Sequence, residues 1–202
     1  MPTKAEQTEA TRTALVQAAQ RLFAARGFAD TPTEAVVQAA GVTRGALYHH
    51  FRDKTALFQA VYEALEQQVV DRIHAATEGL TDPMAVLRTG ADAFLDACLE
   101  PAVQRIVLLE APAVLGWETW REIDQAYGLG LVKAVLEVAM EAGVIRKAPI
   151  EPLAHILLGG LVEGAMLLAS SDDPDAARLQ VGEAVGLLID GLSTAPPRRR
   201  GR

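Results

Sequence analysis

Between residues 27 and 43 the chain interrupts itself three times, at Gly27, at Thr31-Pro32-Thr33-Glu34 and at Gly41-Val42-Thr43. Each break has the chemistry of a helix end. A glycine can take the backbone that closes a helix, proline fits the first helical position, and a threonine oxygen accepts from the free N–H groups of a first turn. The segments between the breaks are periodic. From Thr11 to Arg26, the residues Leu15, Ala18, Ala19, Leu22 and Phe23 recur on one helical face, and Gly27 supplies the stop. Thr31 and Glu34 have the spacing of a capping box, which predicts a second helix from Pro32 to about Ala40, ended by Gly41. Thr43 is placed to cap a short third helix over 44–50. A fourth is expected from Asp53 or Lys54, with Leu57, Phe58, Val61, Leu65 and Val69 on one side.

Farther along, Gly, Pro and Asp clusters mark five more helices, expected from Pro83 to about Glu100, Pro101 to about Leu115, Trp117 to Ala142, Ile150 to about Ser170 and Pro174 to about Leu192. No strand-like alternation and no internal repeat is present. Half the residues are apolar but only 5% aromatic, and Ala, Leu and Val dominate, a mixture that favours helix. The fold expected is therefore all-α, with about nine helices in two parts. Residues 1–54 form a head, the fourth helix, about 53–77, is a connector, and 55–195 form a helical body. Four arginines after Pro196-Pro197 make 196–202 a basic tail that is expected to be disordered.

A net charge of −7 is unfavourable for a chain that would approach phosphate, but the charge is unevenly spread. Residues 1–54 carry +2, residues 55–195 carry −13 and the tail +4. The single cysteine, Cys98, cannot form an internal disulfide, and the first six residues lack the apolar core of a signal peptide, so a reducing cytoplasm is expected. The longest apolar stretch, about 156–169, is interrupted by Glu163, so no membrane span is expected.

Two short helices joined by a tight turn at a glycine describe a helix-turn-helix, whose second helix can enter the major groove of DNA. On the 44–50 helix, Leu47 is expected to point inward with Val42 and Phe51 beside it, which leaves Arg44, Gly45, Tyr48 and His49 outward. Arg44 can donate two hydrogen bonds to a guanine edge, and Tyr48 offers a ring and a hydroxyl. Gly45 costs helix stability, roughly 1 kcal/mol against alanine, and close approach to DNA is one reason to keep it. His50 is expected to pack toward the first helix.

The stretch 18–28, Ala-Ala-Gln-Arg-Leu-Phe-Ala-Ala-Arg-Gly-Phe, and the stretch 39–57, Ala-Ala-Gly-Val-Thr-Arg-Gly-Ala-Leu-Tyr-His-His-Phe-Arg-Asp-Lys-Thr-Ala-Leu, resemble the DNA-binding domain of the TetR family of repressors. The resemblance covers about a quarter of the chain; beyond it the likeness lies in helical layout. It implies a homodimer that reads a palindromic operator in double-stranded DNA, with a small-molecule effector in each body changing the spacing of the heads. By position, Thr43, Arg44, Tyr48 and His49 would contact bases or phosphates and Lys54 would grip phosphate. The chain departs from the pattern at Pro32, where the family commonly has a hydroxyl, and at Thr33, which replaces a core aliphatic and can substitute for that phosphate contact.

In the body, Gly160 and Gly164 place two side-chain-free positions on one face. Packed against Val181, Val185, Leu188 and Ile189 on the last helix, and against the symmetry mates of both helices, they are the expected dimer interface, a four-helix arrangement. Candidate walls of an effector pocket are Leu87, Phe94, Cys98, Val107 and Met166, with the aromatic residues Trp117, Trp120 and Tyr127. His155 and Glu163 are candidate polar anchors, and the effector expected is mostly apolar. No cofactor or metal is expected: His49 and His50 are adjacent and cannot share a helix face, and Gly159, Gly160 and Gly164 do not have the spacing of a nucleotide loop. Cys98, His74 and His155 lack the companion residues of a nucleophile and base, so an enzyme is not expected. The alternative is a helical ligand-binding or scaffold protein without operator recognition.

Overall fold

The computed structural model describes residues 3–194, so the tail expected at 196–202 lies outside the described residues. Within them the chain forms nine helical runs and no β-strand. These are α1 (Lys4–Arg26), α2 (Thr33–Ala40), α3 (Arg44–His50), α4 (Lys54–Thr77), α5 (Pro83–Ala97), α6 (103–115), α7 (117–141), α8 (Ile150–Ala169) and α9 (Pro174–Leu192). Two of them change pitch. In α6 the stretch Val103–Glu110 is wound as a π-helix before Ala111–Leu115 returns to α geometry, and in α7 the stretch Gln125–Leu129 does the same. The expected continuation of α5 to Glu100 is not made, because the chain turns at Cys98.

Two helix starts differ from expectation. Helix α1 begins at Lys4, seven residues before the apolar stripe is legible, because Thr3 and Glu6 form a reciprocal capping box: the Thr3 N–H donates to Glu6 at 2.6 Å and the Glu6 N–H to the Thr3 hydroxyl at 3.3 Å. The box expected at Thr31 and Glu34 does not form. The Thr31 hydroxyl is fully buried and donates backward, to the carbonyls of Gly27 at 2.7 Å and Leu22 at 3.3 Å. The Gly27 carbonyl, just past the end of α1, gains its donor in this way. Helix α2 therefore starts at Thr33, with Pro32 as an N-cap that offers no side-chain bond.

The chain divides into two compact units. The first joins the residues up to Glu66 with Pro101–Glu122; the second joins Gln67–Glu100 with the residues from Ile123 onward. In the first, Leu15, Ala18, Ala19 and Phe23 of α1 are buried with Val36, Leu47, Leu57, Phe58 and Ile106. Phe23, Phe28 and Phe58 make an aromatic cluster with centroids 5.2–5.8 Å apart. In the second, α5, the later part of α7, α8 and α9 bury Leu95, Leu136, Leu168 and Ile189. Arg178 of α9 reaches α5, donating to Asp96 at 2.6 Å and to Asp92 at 2.9 Å. Cys98 is fully buried at the end of α5.

Helix α8 is long and apolar enough to cross a membrane by length and composition, with a mean hydropathy of 1.6. In the second unit it lies among α5, α7 and α9, where Ala154, Leu158, Leu161, Gly164, Ala165 and Leu168 are buried. Gly164 is required there: a Cβ at that position would stand 2.7 Å from Cγ1 of Val181.

Candidate nucleic-acid interface

Helix α3 is short, and its ends hold it in place. Gly41 takes the left-handed conformation, φ 67°, and closes α2, with Val42 donating to the Val37 carbonyl at 3.0 Å. The Thr43 hydroxyl then accepts from the Ala46 N–H at 3.2 Å and starts α3. Leu47, fully buried, anchors one side, and Phe51 is buried just beyond. The opposite face is thereby presented: Arg44, Gly45, Tyr48 and His49 are exposed together with Thr43, while His50 is half-buried against Phe51, the rings 6.3 Å apart. Nothing in the chain itself requires glycine at 45, since an added Cβ would meet only the Thr43 hydroxyl, at 3.9 Å.

Arg44 has partners already. Its guanidinium pairs with Glu34 of α2 at 3.1 Å and lies 5.6 Å from the centroid of the Tyr48 ring. The Glu34 carboxyl is held below the usual carboxylate range, first by its own backbone N–H, with the Arg44 charge and the Thr33 hydroxyl adding to it. That hydroxyl donates to Glu34 at 3.3 Å, so Thr33, half-buried at the start of α2, joins the same cluster. Sequence reasoning missed Glu34 as a partner of Arg44, because nothing in the spacing fixes how α2 and α3 cross.

Lys54, at the first turn of α4, lies over the Phe28 ring with Nζ 4.3 Å from its centroid, and donates to the Ala29 carbonyl at 3.3 Å. Burial pushes its ammonium below the ordinary lysine range, against the opposing pull of Asp30 and Glu110. Glu110 was also missed: it accepts from the Phe28 N–H at 2.9 Å across 82 residues of sequence.

The candidate dimer residues divide by burial. Gly164, Val185 and Ile189 are covered inside their own unit and Val181 is half-buried against Gly164, whereas Gly160 faces open space and Leu188 is 61% exposed. The sequence reading passed over the apolar side chains that are most accessible on the same two helices, Ile156 and Leu167 on α8, Leu179 and Leu187 on α9. Ile156, Gly160, Glu163 and Leu167 are spaced by three or four and form one exposed row of α8. That spacing was the available signal.

The effector candidates fall in both units, with Val107, Trp117 and Trp120 in the first and Leu87, Phe94, Cys98, Tyr127, His155, Glu163 and Met166 in the second. Leu87 and Cys98 are buried, and Phe94, Tyr127 and Met166 are half-buried. Trp117 is 65% exposed, its ring tilted against that of Trp120 with centroids 5.0 Å apart and the Arg121 guanidinium 5.6 Å from its own centroid. Glu163 is exposed, and His155 is engaged by Glu151 at 3.3 Å, a carboxylate that also holds Lys133. An open groove of about 480 Å³ lined by Glu137, Met140, Glu141, Lys147 and Ala148 contains none of these residues.

Residues 15–61 match the family described as bacterial regulatory proteins of the tetR family, and residues 84–192 match the tetracyclin repressor-like C-terminal domain. The transcriptional regulator AcrR of Shigella flexneri is 39% identical over 84 residues, 41% of this chain and 39% of that protein. The Transposon Tn10 TetC protein of Escherichia coli is 25% identical over 76% of this chain and 78% of its own length. A crystal structure of a TetR-family transcriptional regulator from Pectobacterium atrosepticum superposes with a TM-score of 0.82 at 35% identity, covering 97% of this chain and all of that one.

Proposed function

We propose that this chain, which belongs to the TetR family of DNA-binding transcriptional regulators, acts in the cytoplasm as a homodimeric repressor. Its two α3 helices read a palindromic operator, about 34 Å or more apart to match a turn of B-DNA. The observation that carries the reading is the presentation of α3: Leu47 is fully buried while Arg44, Tyr48 and His49 on the other side are exposed, with Thr43 fixing the helix start. Arg44 reads a base edge, Thr33, Thr43, Tyr48 and His49 make further base or phosphate contacts, Gly45 gives room for close approach, and Lys54 holds a phosphate.

The dimer forms on α8 and α9. Support comes from the row of exposed apolar and side-chain-free positions there, Ile156, Gly160 and Leu167 with Leu179, Leu187 and Leu188, a combination that costs free energy while it faces water. Release follows when a small, mostly apolar effector enters the second unit among Leu87, Phe94, Cys98, Tyr127 and Met166 and favours a spacing of heads that no longer fits the operator. For a hundredfold swing on either side of balance that effector must prefer the released state by on the order of 5 kcal/mol.

Selection of bound duplexes from a random pool tests the reading. The expected result is an inverted repeat. Arg44→Ala should then relax preference at one position of each half-site at a cost of roughly 1–3 kcal/mol per contact. Bound pools without sequence preference would overturn operator recognition, and a panel of apolar metabolites that leaves the selected complex intact would overturn the effector.

A further inference from the structure

Glu110 stands at the end of the π-wound stretch of α6, and its carboxylate is spent on the loop that leaves α1. One oxygen accepts from the Phe28 N–H at 2.9 Å. The other occupies the space beside Gly27: a Cβ there would lie 2.6 Å from it, and Gly27 has φ 84°. The Phe28 ring held by this contact is edge-on to Phe58, with centroids 5.2 Å apart, and carries the Lys54 ammonium on its face, while the next carbonyl, that of Ala29, accepts from the same ammonium. All of these groups belong to one compact unit. The loop from Gly27 to Ala29 is thus the bed on which Lys54 lies, and Glu110 fixes the bed.

We infer that Glu110 is a positioning residue for DNA binding, acting through Phe28 and Ala29 to aim Lys54 at a backbone phosphate. The inference rests on the reading of Lys54 as a phosphate contact. It also explains an apparent contradiction, a carboxylate placed near a phosphate-binding lysine: its hydrogen bond orders the loop, and its oxygens are turned to Gly27 and the Phe28 N–H.

The test is a double-mutant cycle on the full chain, titrated with the duplex selected from the random pool at several salt concentrations. Glu110→Ala, Lys54→Ala and the double variant are compared with wild type, and Glu110→Gln serves as the variant that keeps an acceptor oxygen but loses the charge. Aiming through Lys54 predicts that Glu110→Ala loses about as much affinity as Lys54→Ala and lowers the log–log salt slope by about 1.8, two phosphate contacts per dimer at about 0.9 each. It predicts that the double variant is no worse than either single one, that Glu110→Gln restores most of the affinity, and that base preference is unchanged throughout. Losses that multiply in the double variant, or an unchanged salt slope with Glu110→Ala, would assign Glu110 a merely structural role and overturn the proposal. Tighter binding by both Glu110 variants would mean that its charge only repels DNA, which also overturns it. If Lys54→Ala itself changes nothing, the phosphate role of Lys54 falls and the proposal falls with it. A Lys54 effect without a Glu110 effect removes the proposal alone.

Discussion

Arg44 is shared between the Glu34 carboxylate and the Tyr48 ring, so the base contact proposed for it would exchange those partners for a guanine edge. Both members of the ion pair are more than half exposed, and such pairs are weak. Glu34→Gln should therefore tighten operator binding by a few-fold, measured by fluorescence anisotropy; weaker binding would mean that Glu34 orients Arg44 and does not compete for it. Lys54 gives a pH signature. Its ammonium ionises below the ordinary lysine range in the free protein, and a phosphate favours the charged form, so the bound group titrates higher. Affinity is then complete below the free group's range and falls as pH rises through it, starting earlier than for an exposed lysine. Lys54→Arg, whose guanidinium stays protonated, should flatten that decline, and an unchanged profile would count against the contact. Residues such as Thr43 and Leu47 were legible because a cap and a buried face are properties of local spacing. The Arg44–Glu34 pair was not, because it depends on the angle between two helices.

Elements were legible where punctuation and periodicity agree, as for α3 and α9, and less so where they conflict. At Thr31 the sequence has a valid capping box, yet the hydroxyl finds the Gly27 carbonyl first, since the chain turns back on itself over four residues. Thr31→Val should lose roughly 1–3 kcal/mol, the cost of leaving a buried acceptor without its donor, read by chemical denaturation. In α8 the Gly160-x-x-x-Gly164 pair and its packing against the last helix were legible, but how the two glycines divide is a tertiary fact: Gly164 receives Val181 of its own chain and Gly160 faces open space. Gly164→Ala should destabilise by about 1–3 kcal/mol through overpacking, and Val181→Ala in the same chain should recover most of it. Two destabilisations that simply add would place the contact elsewhere. The π-wound stretches in α6 and α7 leave no period in the sequence to find, because eight and five residues are too few for their wider winding to show as a repeat.

For the molecule as a whole, the all-helical class follows from composition and spacing, while the grouping of 101–122 with the first 66 residues has no local signal at all. The contact from Glu110 to Phe28 spans 82 residues, and only the folded core decides it. The +2 on residues 1–54 is small for a DNA binder, so in the proposed dimer affinity comes from a few placed contacts counted twice. Gly160→Arg and Leu188→Arg, both at exposed positions, should give monomers in sedimentation while leaving the melting of each subunit nearly unchanged. Operator affinity should fall steeply in parallel. Variants that stay dimeric would move the interface off α8 and α9.

The burial of Cys98 makes the chain its own reporter. It is the one thiol in the sequence and no part of it reaches solvent, so a sulfhydryl reagent can react only when the second unit opens. Labelling of the native protein therefore counts opening events without any introduced dye, and a ligand seated in that unit would register as a slower clock.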